Sequence, residues 1–338
     1  MAKSSERLVL IHTGKIPNGT YQMFERADLD TMSNASGFVL TPCTKYEVYG
    51  ENYKDHYPLL INQMKELPKK SFYVGLPPIN ASDAYENRDC YSDYSLLYDF
   101  ISKVISEIET LKADNKLLGT FRGFYFTTER VFGTVDPDHP TLNPMVKLMS
   151  DLADLIKKTY KKKFIWAPYL GRYETYYTTN ENLGIVANRT SIFNTIFLQS
   201  GYYFYPDRKR NTEDSDPENV ILRRNLTLAQ KCAQNNMVYN YKASNSTVIS
   251  NTPIGTKKSS STQIGIDMEA SDSLRWYPDT YKRYYSRECG TFSPLFINGT
   301  CPFLFYAGAY SGIIGSLLYQ SIQEFYANGG YKLPTPIS

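Results

Sequence analysis

Two short runs carry the acids best placed for chemistry. Residues 121–130 (FRGFYFTTER) and 263–271 (QIGIDMEAS) are apolar, strand-like stretches that end in carboxylates, Glu129 in the first and Asp267 and Glu269 in the second. A pair of carboxyl groups flanking a scissile bond is what glycoside hydrolysis needs. One, protonated, donates to the leaving oxygen; the other, ionised, attacks or stabilises the anomeric carbon. A gap of about 5–5.5 Å between them gives retention and roughly 6.5–9.5 Å gives inversion. We assign Glu129 as acid/base and Glu269 as nucleophile, with Asp267 the competing choice. Asp267 and Glu269 are two apart on an alternating strand, so they point the same way, and like charges that close raise one pKa. Each acid also has a bland reading: Glu129 as a surface glutamate or the partner of Arg130, Asp267 and Glu269 as helix caps at a strand-to-helix junction.

A scaffold must bring these distant segments together. Eight apolar, β-rich runs punctuate the chain: residues 7–12, 37–40, 71–76, 121–126, 164–169, 195–199, 263–268 and 302–306. Helical patterns follow, at 57–66, 94–114, from Asn143 with Pro144 in its first turn, 218–236, 278–288 and 313–328. The clearest is 94–114, where Leu97, Phe100, Ile101, Val104, Ile105, Ile108 and Leu111 recur at three and four. Residues 241–262, rich in Ser, Asn, Thr and Lys, read as a mobile insertion. Strands alternating with helices imply a parallel sheet, and eight such units with no spare layer predict an α/β fold, a single (β/α)8 TIM barrel over residues 1–338. In that fold the catalytic groups follow the strands on one face. Units four and seven lie three strands apart, so Glu129 and Glu269 are expected to face each other across the mouth. The same rim would hold substrate through His12, Trp166, Tyr169, Gln199, Tyr202, Trp276 and Tyr306. For Trp166 and the tyrosines at 202–205 a packed core is the competing reading.

Composition narrows the partners. Hydrophobic residues make up 42% of 338 and the net charge is +3, which gives nucleic acid no electrostatic footprint. Lys161–Lys163 and Lys257-Lys258 read as solvated surface. The 30 Tyr and 17 Phe against 2 Trp are unusual. Tyr offers a flat apolar face with a polar tip, which suits sugar rings, although a compositional bias towards Tyr, Asn, Lys and Ile would give the same count. No phosphate loop, dinucleotide fingerprint or nucleophile elbow is present. The three histidines, His12, His56 and His139, have no metal spacing, so neither cofactor nor metal is expected. The five cysteines form no C-x-x-C pair; a disulfide between Cys289 and Cys301 is conceivable. No run is long enough to span a bilayer. Seven N-x-[S/T] sequons, at Asn18, Asn34, Asn80, Asn188, Asn225, Asn245 and Asn298, lean towards an extracellular or cell-surface protein whose signal segment lies outside this chain. A monomer is expected.

Four ordered motifs carry a family resemblance: GFYFTTE (123–129), FIWAPYLG (164–171), FLQSGYYF (197–204) and IGIDMEAS (264–271). Together they resemble an uncharacterised, mostly bacterial family of glycosidase-like TIM-barrel domains of unknown function. The likeness runs from about Gly37 onward. It implies a barrel with a carbohydrate role and places Glu129, Trp166, Tyr169, Gln199 and Glu269 at matching positions. The chain departs from the family at Ser200-Gly201, where a Pro-Asn pair is expected, and at Asp267, where Glu is usual. The function expected is therefore a retaining glycoside hydrolase acting on a polysaccharide or glycan. The alternative is a non-catalytic, carbohydrate-binding barrel.

Overall fold

The computed structural model describes residues 6–15, 21–42, 53–79, 91–170, 176–202, 217–243, 246, 248–255, 259–270, 278–299, 301–306 and 317–330. The chain divides into two compact units, one of Leu8–Trp166 and one of Met1–Arg7 with Ala167–Ser338.

The first unit opens with β1 (Arg7–Lys15), extended by the short antiparallel β2 (Tyr21–Gln22). It continues through α1 (Arg26–Thr31), β3 (Gly37–Pro42), α2 (Tyr53–Lys65), β4 (Ser71–Gly75), α3 (Tyr91–Ala113) and β5 (Thr120–Phe126). It closes with α4 (Pro144–Ala153), which passes into a π-helical turn over Asp154–Thr159, and β6 (Lys163–Trp166). The apolar face of α3 predicted from its spacing is buried at Leu97, Phe100, Ile101, Val104, Ile108 and Leu111. Asn143 caps α4, its Oδ1 accepting from the Met145 and Val146 amides at 3.0 and 3.2 Å, and Pro144 occupies the first turn, where its missing N–H costs nothing. Gly123 lets β5 approach β6: a Cβ there would lie 1.8 Å from the Lys163 carbonyl oxygen.

The second unit holds α5 (Tyr176–Arg189), β7 (Thr195–Gln199), α6 (Pro217–Asn235), β8 (Tyr239–Tyr241), β9 (Ile249–Pro253), β10 (Gln263–Glu269), α7 (Pro278–Ile297), β11 (Phe303–Tyr306) and α8 (Leu317–Asn328). The expected mobile insertion is corrected here. Residues 239–253 contain an antiparallel hairpin, β8 with β9, held by the buried side chain of Asn188. Its Nδ2 donates to the Val238 and Ile254 carbonyls, both at 2.9 Å, and its Oδ1 accepts from the Val238 amide at 2.9 Å. A polar sequence is ordered because its backbone finds partners in a helix side chain.

Eight strands pair in parallel in the order β1, β3, β4, β5, β6, β7, β10, β11, and β11 pairs again with β1. This is the topology of a closed (β/α)8 barrel, as predicted. The Phe303 amide donates to the Glu6 carbonyl at 2.8 Å at the seam. The strands are near-continuously buried, as parallel strands covered on both faces must be. No helix among the described residues is long and apolar enough to cross a membrane.

Candidate active site

The second unit gathers acids at the ends of its strands, and ring contacts show which way they point. On β11, Phe303 packs against Phe296 and Phe325, and Phe305 against Tyr285 and Tyr326, so both face α7 and α8. Alternation turns Leu304 and Tyr306 to the opposite face. The register sets Asp267 beside Leu304 and Glu269 beside Tyr306 on one side, and Asp267 beside Gln199 on the other. Gln199, Asp267, Glu269 and Tyr306 therefore share one face of β7, β10 and β11, near the carboxyl ends of the strands. Gly265 precedes the two acids on that face, in a space where a Cβ would lie 2.5 Å from the Pro302 carbonyl oxygen.

Both acids are withdrawn from solvent, Asp267 at 1% exposure and Glu269 at 4%. Removing carboxylates from water costs several kcal/mol each unless charge or hydrogen bonds compensate, so such positions are rarely incidental. A third acid lies next to them. Glu288, on α7, is fully buried, and its carboxyl accepts from the Glu269 backbone N–H and from the Ser200 hydroxyl, at 3.4 Å in the latter case. Burial raises the Glu288 pKa well above the ordinary carboxylate range. The charge of Glu269 adds to the shift and Asp267 contributes less, against the lowering effect of those two hydrogen bonds. The Asp267 charge also acts on Tyr326, whose phenol is pushed well up by burial and then by that charge, while Arg7 opposes both.

Sequence reasoning missed Glu288, although a signal was there. Tyr285, Glu288, Cys289, Phe292 and Leu295 recur at three and four and are all buried, so the glutamate occupies the apolar stripe of its helix. The helical pattern was expected to stop at Glu288; it continues to Ile297 despite Pro294. The departure at Ser200-Gly201 also acquires a role. Ser200 is buried, its hydroxyl reaches Glu288, its Oγ accepts from the Tyr202 amide at 3.3 Å, and its carbonyl accepts from Asn225 at 3.4 Å.

The other expected site residues divide. Tyr169 and Gln199 form a parallel bridge, and Gln199 donates through Nε2 to the Ala167 carbonyl at 2.6 Å; both are half-buried, as is Tyr306. Tyr202 is fully buried, accepting from Arg287 at 2.7 Å with its ring 4.8 Å from that of Tyr284. Trp166 is also fully buried, its indole donating to the Thr128 carbonyl at 2.7 Å. Neither ring has a face open to solvent, which is the packed-core reading rather than the sugar-stacking one. His12 is buried within β1, beside Thr41 of β3. Glu129 is exposed on the segment that follows β5. Trp276 and the tyrosines at 203–205 lie outside the described residues.

Two further expectations are corrected. Cys289 and Cys301 are each a buried thiol, not joined in a disulfide. The sequon residues Asn188 and Asn225 are buried and hydrogen-bonded, Asn225 accepting from the Tyr241 hydroxyl at 2.6 Å, so they act as internal ties rather than glycan acceptors. Among the described residues no group of three His, Cys, Asp or Glu side chains is arranged to hold a metal ion.

No family model matches the chain, and no curated protein does. Among solved structures, the chain is similar to an engineered protein determined by a structural genomics consortium, at a TM-score of 0.42 and 9% identity over 99% of this chain and 71% of the other.

Proposed function

We propose that this chain is a glycoside hydrolase acting on a polysaccharide or glycan with retention of configuration. The observation that supports this reading is the placement of Asp267 and Glu269, both withdrawn from solvent, on one strand face with Gln199 and Tyr306 near the strand ends. Strand ends of this kind are where barrel enzymes carry their reacting groups. Glu269 is the nucleophile in this proposal, Asp267 stabilises positive charge developing at the anomeric carbon, and Glu129, exposed after β5, is the proton donor and later the general base. Gln199 and Tyr306, half-buried beside the acids, supply polar contacts to sugar hydroxyls.

The test is a screen of the purified chain against a panel of polysaccharides and aryl glycosides, followed by Glu129→Gln and Glu269→Gln on any substrate found. Hydrolysis by the wild type is expected, with kcat falling by at least about a thousandfold in Glu269→Gln, on the scale of losing a group that acts only in the transition state. Glu129→Gln should be harmed most on substrates with poor leaving groups, which depend on proton donation. A chain that binds sugars and releases no reducing ends would be a carbohydrate-binding barrel instead.

A further inference from the structure

Glu288 is fully buried on α7 and is tied both to the end of β10 and to the segment after β7. Its Oε1 accepts from Ser200, the Glu269 backbone N–H donates to its carboxyl, and its Oε2 makes no hydrogen bond among the described residues. We propose that Glu288 is a positioning residue that ties the end of β10 to the segment after β7 and so presents Glu269 in one orientation.

The packing around it gives the reason. On α7 its neighbours are Tyr284, Tyr285, Arg287 and Cys289; of these the arginine is turned to the Tyr202 hydroxyl and the tyrosines and thiol are uncharged at neutral pH. From β10 come Asp267 and Glu269, from the segment after β7 the Ser200 hydroxyl, and from α6 the neutral Asn225 amide that holds Ser200. The charges that raise the Glu288 pKa are those of Glu269 and, less, of Asp267. An ionised Glu288 would set a second buried carboxylate against Glu269, in a space where repulsion is weakly screened. Kept protonated, it still accepts from the Glu269 N–H and Ser200 through its carbonyl oxygen, and its proton occupies the other oxygen. The orientation of Glu269 is thereby fixed without a competing charge. This inference rests on the proposed role of Glu269, but the protonation and the pinning are properties of the folded chain and are measured without any substrate.

The sign of the pH effect follows from proton binding. A carboxyl whose folded pKa lies above its ordinary 4.5 leaves full stability below that value and loses it as pH rises through the folded pKa. Glu288→Gln reproduces the neutral acid and should fold, and its unfolding free energy relative to wild type should rise with pH above about 4.5. Hydrogen exchange at the Glu269 amide should be unchanged in Glu288→Gln and at least tenfold faster in Glu288→Leu, which keeps the volume and removes the acceptor. A wild type and Glu288→Gln with parallel pH dependence would overturn the neutral acid, and unchanged exchange in Glu288→Leu would overturn the pinning. If an active substrate is in hand, Glu288→Gln should keep kcat and Glu288→Leu should lower kcat with little change in KM. Should no hydrolysis be found, the functional reading fails while the pH and exchange measurements still decide the role of Glu288.

Discussion

His56 shows what burial does to one side chain in this molecule. Its imidazole, within 3.5 Å of the Thr13 hydroxyl, is held down at about 4 from an ordinary 6.5, because the charged form would lose its water. The unfolded chain therefore takes up a proton first as pH falls. Stability from this group is present above pH 6.5 and lost as pH falls to about 4, by about 3 kcal/mol over the interval. Denaturant titrations of wild type and His56→Gln between those limits check it: the stability of wild type relative to the variant should fall as the solution becomes acidic. The thiols give a second prediction. Cys232 is pushed up to about 12 by burial, and Cys289 is raised well above its ordinary value, chiefly by burial. Neither should be alkylated in the native protein at pH 8, which peptide mapping after an iodoacetamide pulse will show; labelling before unfolding would contradict the burial. At this scale the sequence was partly legible. Asp267 and Glu269 stood out because acids at a strand end are chemically conspicuous, whereas Glu288 and Ser200 acquire meaning only from neighbours far away in the chain. Trp166 and Tyr202 misled in the opposite sense, since an aromatic ring reads alike in sequence whether its faces are open or packed.

The elements are held by a few side chains with several bonds each. Asn188 makes three hydrogen bonds to the backbone around β8 and β9. Asn188→Ala would strand those backbone groups at about 1–3 kcal/mol for each buried partner left unsatisfied. The expected loss is about 3 kcal/mol in urea unfolding, with amide exchange accelerated in residues 238–254 and little changed in α3. Gly123 is a second such point. With a Cβ placed 1.8 Å from a carbonyl oxygen, Gly123→Ala must push β5 away from β6, and an expected cost of about 3 kcal/mol or more makes insoluble expression its most direct readout. Strand positions were legible because each carries a buried apolar run bounded by turn residues, and α3 because its stripe repeats for 23 residues. The helix α5 was not, since its TTNEN stretch has no apolar stripe, and its Thr179, Asn180 and Asn182 are polar side chains that are nonetheless buried. The β8–β9 hairpin escaped for the same reason: its order comes from Asn188, more than fifty positions from its far strand, and not from its own composition.

At the scale of the whole molecule, the alternation of eight strands with helices was enough to give the ring of parallel pairings, because that pattern leaves few ways to bury every strand on both faces. Fold alone assigns no chemistry. The assignment of function rests on β10, where two carboxylates shielded from solvent occupy successive positions of one face, with a third buried acid behind the strand end. The most direct test is to trap the glycosyl-enzyme intermediate with an activated 2-deoxy-2-fluoro glycoside of a sugar the chain hydrolyses, and to locate the adduct by mass spectrometry of peptides. The account predicts one sugar bound through an ester to Glu269, and none in Glu269→Gln. An adduct on any other residue, Asp267 included, or turnover with inverted products and no adduct, would contradict it.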